Sequence, residues 1–114
     1  GDEAKFGKKI GGDIIEKKKT LLFIFTQAKL EDNKRIEFEN IFFSDKIEES
    51  VKINSIKSYY ETCGAVDYLK NKVQEYFINA QKLINQLQID NNKKLELIKF
   101  SEKLLNRDIW NSFN

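Results

Sequence analysis

Val66, Leu69, Val73, Tyr76, Ala80, Leu83 and Leu87 follow one another in steps of three and four. That spacing places side chains on one face of a helix, and it predicts one long amphipathic helix over 66–87. The stripe fits either a coiled-coil seam or a packing face inside a bundle; four other apolar segments favour the bundle. Thr20–Leu30 (TLLFIFTQAKL) is almost wholly apolar and belongs deep in a core. A buried strand competes there, because a short apolar run does not separate the two, and the helical neighbours decide for helix. Asn33–Phe43 sets Ile36, Ile41, Phe42 and Phe43 among charges. The next helix is expected to start near Asp45, which has capping-box spacing to Glu48, and to run through Ile53, Ile56 and Tyr60 until Gly64 stops it. Asp90 can cap a last helix with Leu97, Phe100 and Leu104 along one side. Residues 107–114 (RDIWNSFN) read as a tail whose Ile109, Trp110 and Phe113 need a surface to lie against. Neither internal repeats nor a Pro, Gly or Ser-rich linker interrupts the pattern. The prediction is one all-α unit over 1–114: a Lys/Gly-rich segment over 1–19, helices over 20–106 and the tail.

Composition narrows the chemistry. The 114 residues include no His, no Met, no Pro and one Cys. A disulfide framework, a Cys/His zinc site, a Ser-His-Asp triad and a Cys-His dyad are therefore excluded for this sequence. A bound metal would have to be hard and held by oxygen. With no signal peptide and no apolar run of about 18 residues, the sequence reads as cytoplasmic, with no membrane span. The start at Gly1, without Met, reads as a trimmed or excised chain.

Charge is informative by position. The formal net charge is only +2, too small for a bulk polycation that coats nucleic acid. Residues 1–20 hold Lys5, Lys8, Lys9, Lys17, Lys18 and Lys19 against Asp2, Glu3, Asp13 and Glu16, so the whole surplus is there. Gly1, Gly7, Gly11 and Gly12 are interleaved with those lysines. Two lysine groups flank Gly11-Gly12, and a bend at that pair would let both groups point at one anion, for which a diphosphate is the natural guest. The spacing is neither that of a Walker A loop nor that of a Rossmann fingerprint. An ordinary reading stands beside this one: lysine runs are commonly solvated surface, Gly-Gly a simple turn, and Asp13 with Glu16 a capping box without a ligand.

The order Gly7-Lys8, Gly11-Gly12-Asp13-Ile14, then Lys18-Lys19-Thr20 opening an apolar helix resembles the segment after the second aspartate-rich motif of the trans-isoprenyl diphosphate synthases, the polyprenyl synthetase family. Tyr59-Tyr60-Glu61-Thr62-Cys63-Gly64-Ala65 before a long helix, and Leu104-Leu105-Asn106-Arg107-Asp108, resemble that family's C-terminal third. The resemblance implies the C-terminal portion of an all-helical isoprenoid synthase fold, from an enzyme that ionises an allylic diphosphate and lets isopentenyl diphosphate attack the cation. It assigns Lys8 and Lys18 to the diphosphate, with Lys9 able to replace Lys8, and gives Asp13 a supporting role. It also implies Mg²⁺ as cofactor, a homodimer and no nucleic-acid partner.

The departure from the family pattern is equally specific. No Asp-Asp-x-x-Asp occurs in the sequence; by the resemblance both aspartate-rich motifs lie upstream of Gly1. This chain alone is therefore expected to be inactive and to hold no Mg²⁺, which lysines repel. A helical module binding an anion or nucleic acid through its basic N-terminal arm is the alternative, and an assembly element built on the 66–87 stripe is a third. Tyr59 and Tyr60 are expected in the core or an interface, Cys63 as a small buried residue, Trp110 docked on the bundle, and Leu21–Phe25 as core.

Overall fold

The computed structural model describes the backbone of residues 2–112, with side chains at residue 5 and residues 7–104. Six helices follow in order: α1 Asp2–Ile15, α2 Leu21–Lys29, α3 Asp32–Phe43, α4 Glu49–Thr62, α5 Ala65–Asn85 and α6 Asn91–Ser112. The described residues contain no strand. The all-α expectation holds, in keeping with an isoprenoid-synthase type of fold, and the apolar run after Thr20 is a helix rather than a strand. Extents of 57 × 25 × 19 Å make the molecule long for its mass, with a radius of gyration of 17.4 Å against about 13 Å for a compact chain near this length.

Local chemistry explains most of the boundaries. The Thr20 hydroxyl accepts from the Phe23 N–H at 3.4 Å and caps α2, and Asp90 Oδ1 accepts from the Lys93 N–H at 2.9 Å and caps α6. At the end of α4, Gly64 takes φ +87°, the left-handed conformation that glycine adopts without steric cost, and the chain turns directly into α5. α6 continues through residues 107–112, so the backbone expected to be a tail is helical up to Ser112. The side chains of Ile109 and Trp110, and all of Phe113, lie outside the described residues.

The core is a layer of aromatic and aliphatic side chains between α2, α3, α4 and the start of α5, closed by α1. Phe23, Phe38, Phe42 and Ile56 are fully buried, joined by Ile14, Leu22, Tyr60, Ala65 and Leu69. The Phe23 ring stands 4.3 Å from that of Phe42 and 5.3 Å from that of Phe38, within the range where aromatic pairs attract. Leu22 and Phe23 are core as expected, whereas Ile24 is half exposed. Cys63 is half-buried, its Sγ 3.1 Å from the Thr26 hydroxyl. Lys52 is buried on α4, where its ammonium donates to the Ser44 carbonyl at the end of α3 at 2.9 Å. Burial pulls that ammonium below the ordinary lysine range, the nearby Lys17 charge pulls the same way, and Asp45 opposes both.

One boundary differs from the sequence expectation. α4 begins at Glu49, its cap Glu48 makes no side-chain capping bond to the backbone, and Asp45 does not cap a helix. Asp45 instead forms an ion pair with Lys17, which ties the α3–α4 loop to the turn after α1. A capping box is a local preference, and a cation brought in by the tertiary fold outcompetes it.

Candidate functional site

The lysines singled out in the sequence meet at the α1–α2 turn. Lys9 and Asp13 are one turn apart on α1, and the Lys9 ammonium stands 3.3 Å from Asp13 Oδ1. α1 then ends in a Schellman arrangement. Lys17 N–H donates to the Ile14 carbonyl at 3.1 Å, and Lys18 N–H donates to the Asp13 carbonyl at 2.9 Å. Lys17 occupies the left-handed position with φ 57°, a conformation that costs a side-chain-bearing residue about 1–2 kcal/mol. The reversal carries Lys18 back along α1, where its ammonium is 3.9 Å from the same Asp13 oxygen and 3.0 Å from Glu16 Oε2. That contact, first as a hydrogen bond and then as a charge, holds the exposed Glu16 carboxyl below its ordinary value.

Two ammonium groups therefore converge on one carboxylate. Lys9 and Lys18 are each about a third exposed, while the Asp13 side chain is only 10% exposed. Thr20 at the start of α2 and Tyr60 at the end of α4 are both buried, and Tyr60 is near enough to feel the Asp13 charge. Burial pushes the Tyr60 phenol well above the ordinary tyrosine range; its hydrogen bond with Thr20 opposes this, and the charge of Asp13 adds to it. Lys8 is exposed on α1 and is not brought to Asp13, Lys17 is engaged with Asp45, and Lys19 lies 5.8 Å above the Phe43 ring. Of the three predicted diphosphate ligands, Lys9 and Lys18 are thus together and Lys8 is beside them on the outer face.

The expected bend at Gly11-Gly12 is corrected. Both glycines are inside α1, and neither has positive φ. Gly11 is buried against α4, where an added Cβ would sit 3.5 Å from Ile53 Cδ1. Docking of Ile10, Gly11 and Ile14 onto the rest of the molecule keeps the helix intact through a pair that would be a weak point in isolation. The reversal falls at Lys17 instead. For the same reason Asp13 is in the last turn of α1 and cannot head a capping box with Glu16.

Chemically, the arrangement can hold and neutralise an anion. Each ammonium gains on the order of 4 kcal/mol of direct Coulomb energy from an anionic oxygen at about 4 Å near a protein surface, before desolvation. Asp13 and Glu16 oppose this with repulsions of the same order, and the two carboxylates balance the two ammonium groups, so a guest is held only as the lysines turn from them to its oxygens. Among the described residues, no group of three acidic or cysteine side chains is placed to hold a metal ion. The lysine-rich donor set at the turn does not fit Mg²⁺. Among these residues, too, no helix is long and apolar enough to cross a membrane. Sequence reasoning missed Tyr60 as a neighbour of the Asp13 charge; nothing local announces a tyrosine 47 positions from Asp13 in the chain.

No protein-family model and no solved structure matches the chain. Over 106 residues it is 32% identical to a geranylgeranyl pyrophosphate synthase of Geoglobus acetivorans. That alignment takes in 93% of this chain and 31% of the relative, so the chain spans about a third of that protein's length. The similarity supports a relationship to the polyprenyl synthases.

Proposed function

We propose that this chain is the leaving-group-binding, C-terminal part of a Mg²⁺-dependent cytoplasmic prenyltransferase that joins isopentenyl diphosphate to an allylic diphosphate. The observation that carries the reading is the convergence of Lys9 and Lys18 on one point at the α1–α2 turn. The similarity to a geranylgeranyl pyrophosphate synthase supports the substrate class. Lys9 and Lys18 bind the diphosphate by turning from Asp13 to its oxygens, and Lys8 supplies a further charge from the outer face of α1. Asp13, too buried to leave, keeps the two ammonium groups at the turn between ligands. The Mg²⁺ ions, with the aspartate-rich motifs that hold them, belong to sequence outside these 114 residues. The chain alone binds diphosphate and does not catalyse.

Calorimetric titration with inorganic diphosphate tests this reading. The expected result is saturable binding that Lys9→Gln or Lys18→Gln each weakens about tenfold, the equivalent of about 1.4 kcal/mol, with Lys8→Gln weakening it less. Binding indifferent to both main substitutions overturns the site. A parallel titration with a short RNA addresses the alternative module. Tighter binding to RNA than to diphosphate, falling steeply with salt, replaces the prenyltransferase reading with the nucleic-acid one. The parent open reading frame is expected to encode Asp-Asp-x-x-Asp within a few residues upstream of Gly1, and an upstream stretch without paired aspartates removes the enzyme assignment.

A further inference from the structure

A second basic site lies at the α4–α5 junction, separate from the lysine pair on Asp13. α4 and α5 form an antiparallel hairpin about Gly64, which sets Lys57 on one arm across from Lys70 on the other. Between them is a cavity of about 240 Å³ that Tyr60 and Val66 also line, together with Gly7 and Ile10 of α1. The Lys57 ammonium lies over Gly7, 3.7 Å from where a Cβ would stand, so the absent side chain leaves the head of Lys57 room against α1. Val66 is in the first turn of α5, and the Gly64 cap has no side chain with which to satisfy the free N–H groups of that turn. Asp67 in the same turn sets a carboxylate against those groups, so the two lysines carry the positive potential. Glu61 is the one acidic residue in the lining.

We propose that this cavity binds a small amphiphilic phosphate: a phosphomonoester headgroup between Lys57 and Lys70, with a short apolar chain on Ile10, Val66 and the Tyr60 ring. Size and charge fix the class. The volume falls below the roughly 300–1,000 Å³ of pockets for drug-sized ligands, which suits a small guest. Two lysines against Glu61 leave one net positive charge in the lining. That charge attracts a phosphomonoester headgroup. The apolar part of the lining gives a short alkyl chain an advantage over the bare ion.

Butyl phosphate and inorganic phosphate serve as the probes, followed by amide NMR shifts of the full chain. Butyl phosphate is expected to saturate with shifts at Gly7, Gly64 and Val66, at least tenfold more tightly than inorganic phosphate. Lys57→Gln and Lys70→Gln each weaken it about fivefold or more, Glu61→Gln tightens it, and Lys9→Gln with Lys18→Gln leaves it unchanged. Shifts centred on Lys9, Asp13 and Lys18, equal affinity for the two probes, or indifference to the Lys57 and Lys70 substitutions overturns the proposal. The two sites fail independently: loss of diphosphate binding at Lys9 and Lys18 leaves this result standing, and the converse also holds.

Discussion

The chain up to Leu69 and the chain after it obey the same helical periodicity and meet opposite fates. Every buried side chain described lies at or before Leu69. Beyond it, Tyr76, Leu83 and Phe100 are 61%, 65% and 59% exposed on the α5–α6 hairpin. The cause is length. α5 has 21 residues and α4 has 14, so the two span about 31 and about 21 Å. α5 is covered by α2 and α4 over its first turns, where Ala65, Val66, Leu69 and Val73 pack on the core, and then runs past the end of both. There its main neighbour is α6, and one helix cannot cover a stripe on two sides. An amphipathic pattern states that a face is able to be buried; the lengths of neighbouring elements determine how much of it is.

The contrast is easiest to break with cavity-forming substitutions. Phe23→Ala, which empties the centre of the aromatic layer, is expected to cost about 3–5 kcal/mol in denaturant unfolding. Leu83→Ala is expected to change stability by no more than about 0.5 kcal/mol. Comparable losses at the two positions would mean that the hairpin packs as tightly as the body. Alkaline titration tests the body alone. Because burial raises the Tyr60 phenol, the native state keeps its proton while the unfolded chain begins to lose it near the ordinary value of 10.0. The contribution is fully present below that value and is lost as pH rises above it, with a slope approaching about 1.4 kcal/mol per pH unit. Tyr60→Phe is expected to remove this dependence when unfolding is followed between pH 9 and 11. Native-state hydrogen exchange then sharpens the comparison along a single helix: amides near Leu69 are expected to exchange more slowly than those near Leu83 by at least tenfold. The smallest effect concerns α1. An added Cβ at Gly12 meets nothing within 4 Å, so Gly12→Ala is expected to raise stability by about 1 kcal/mol. A loss of stability there would restore the hinge that the sequence suggested.

Legibility followed the same divide between local and distant causes. The 66–87 stripe, the Asp90 cap and the stop at Gly64 were readable, since each depends on residues within a few positions of one another. The failures were also local readings. Gly11-Gly12 invited a bend, but burial against α4 holds the pair helical, and the left-handed residue is Lys17, which no propensity would choose. Asp45 had the spacing of a cap and is an ion-pair partner of a residue 28 positions earlier. At the candidate site the residue types were readable and the geometry was not. Lys8 and Lys9 are neighbours in sequence, yet successive helical residues point about 100° apart, so only Lys9 reaches Asp13.

By itself the sequence determined that the chain is helical from Thr20 onward, close to where α2, α3 and α5 begin and end, and that cationic side chains concentrate in the first twenty residues; that the first segment is itself a helix, α1, was not read from it. These follow from periodicity, capping and charge, which act over one or two turns of backbone. Only the tertiary structure decided which lysines share a carboxylate, that Tyr60 stands beside Asp13, and how far the long amphipathic stripe is covered. Each of these depends on where separate helices end relative to one another, a quantity set by packing between segments distant in the chain.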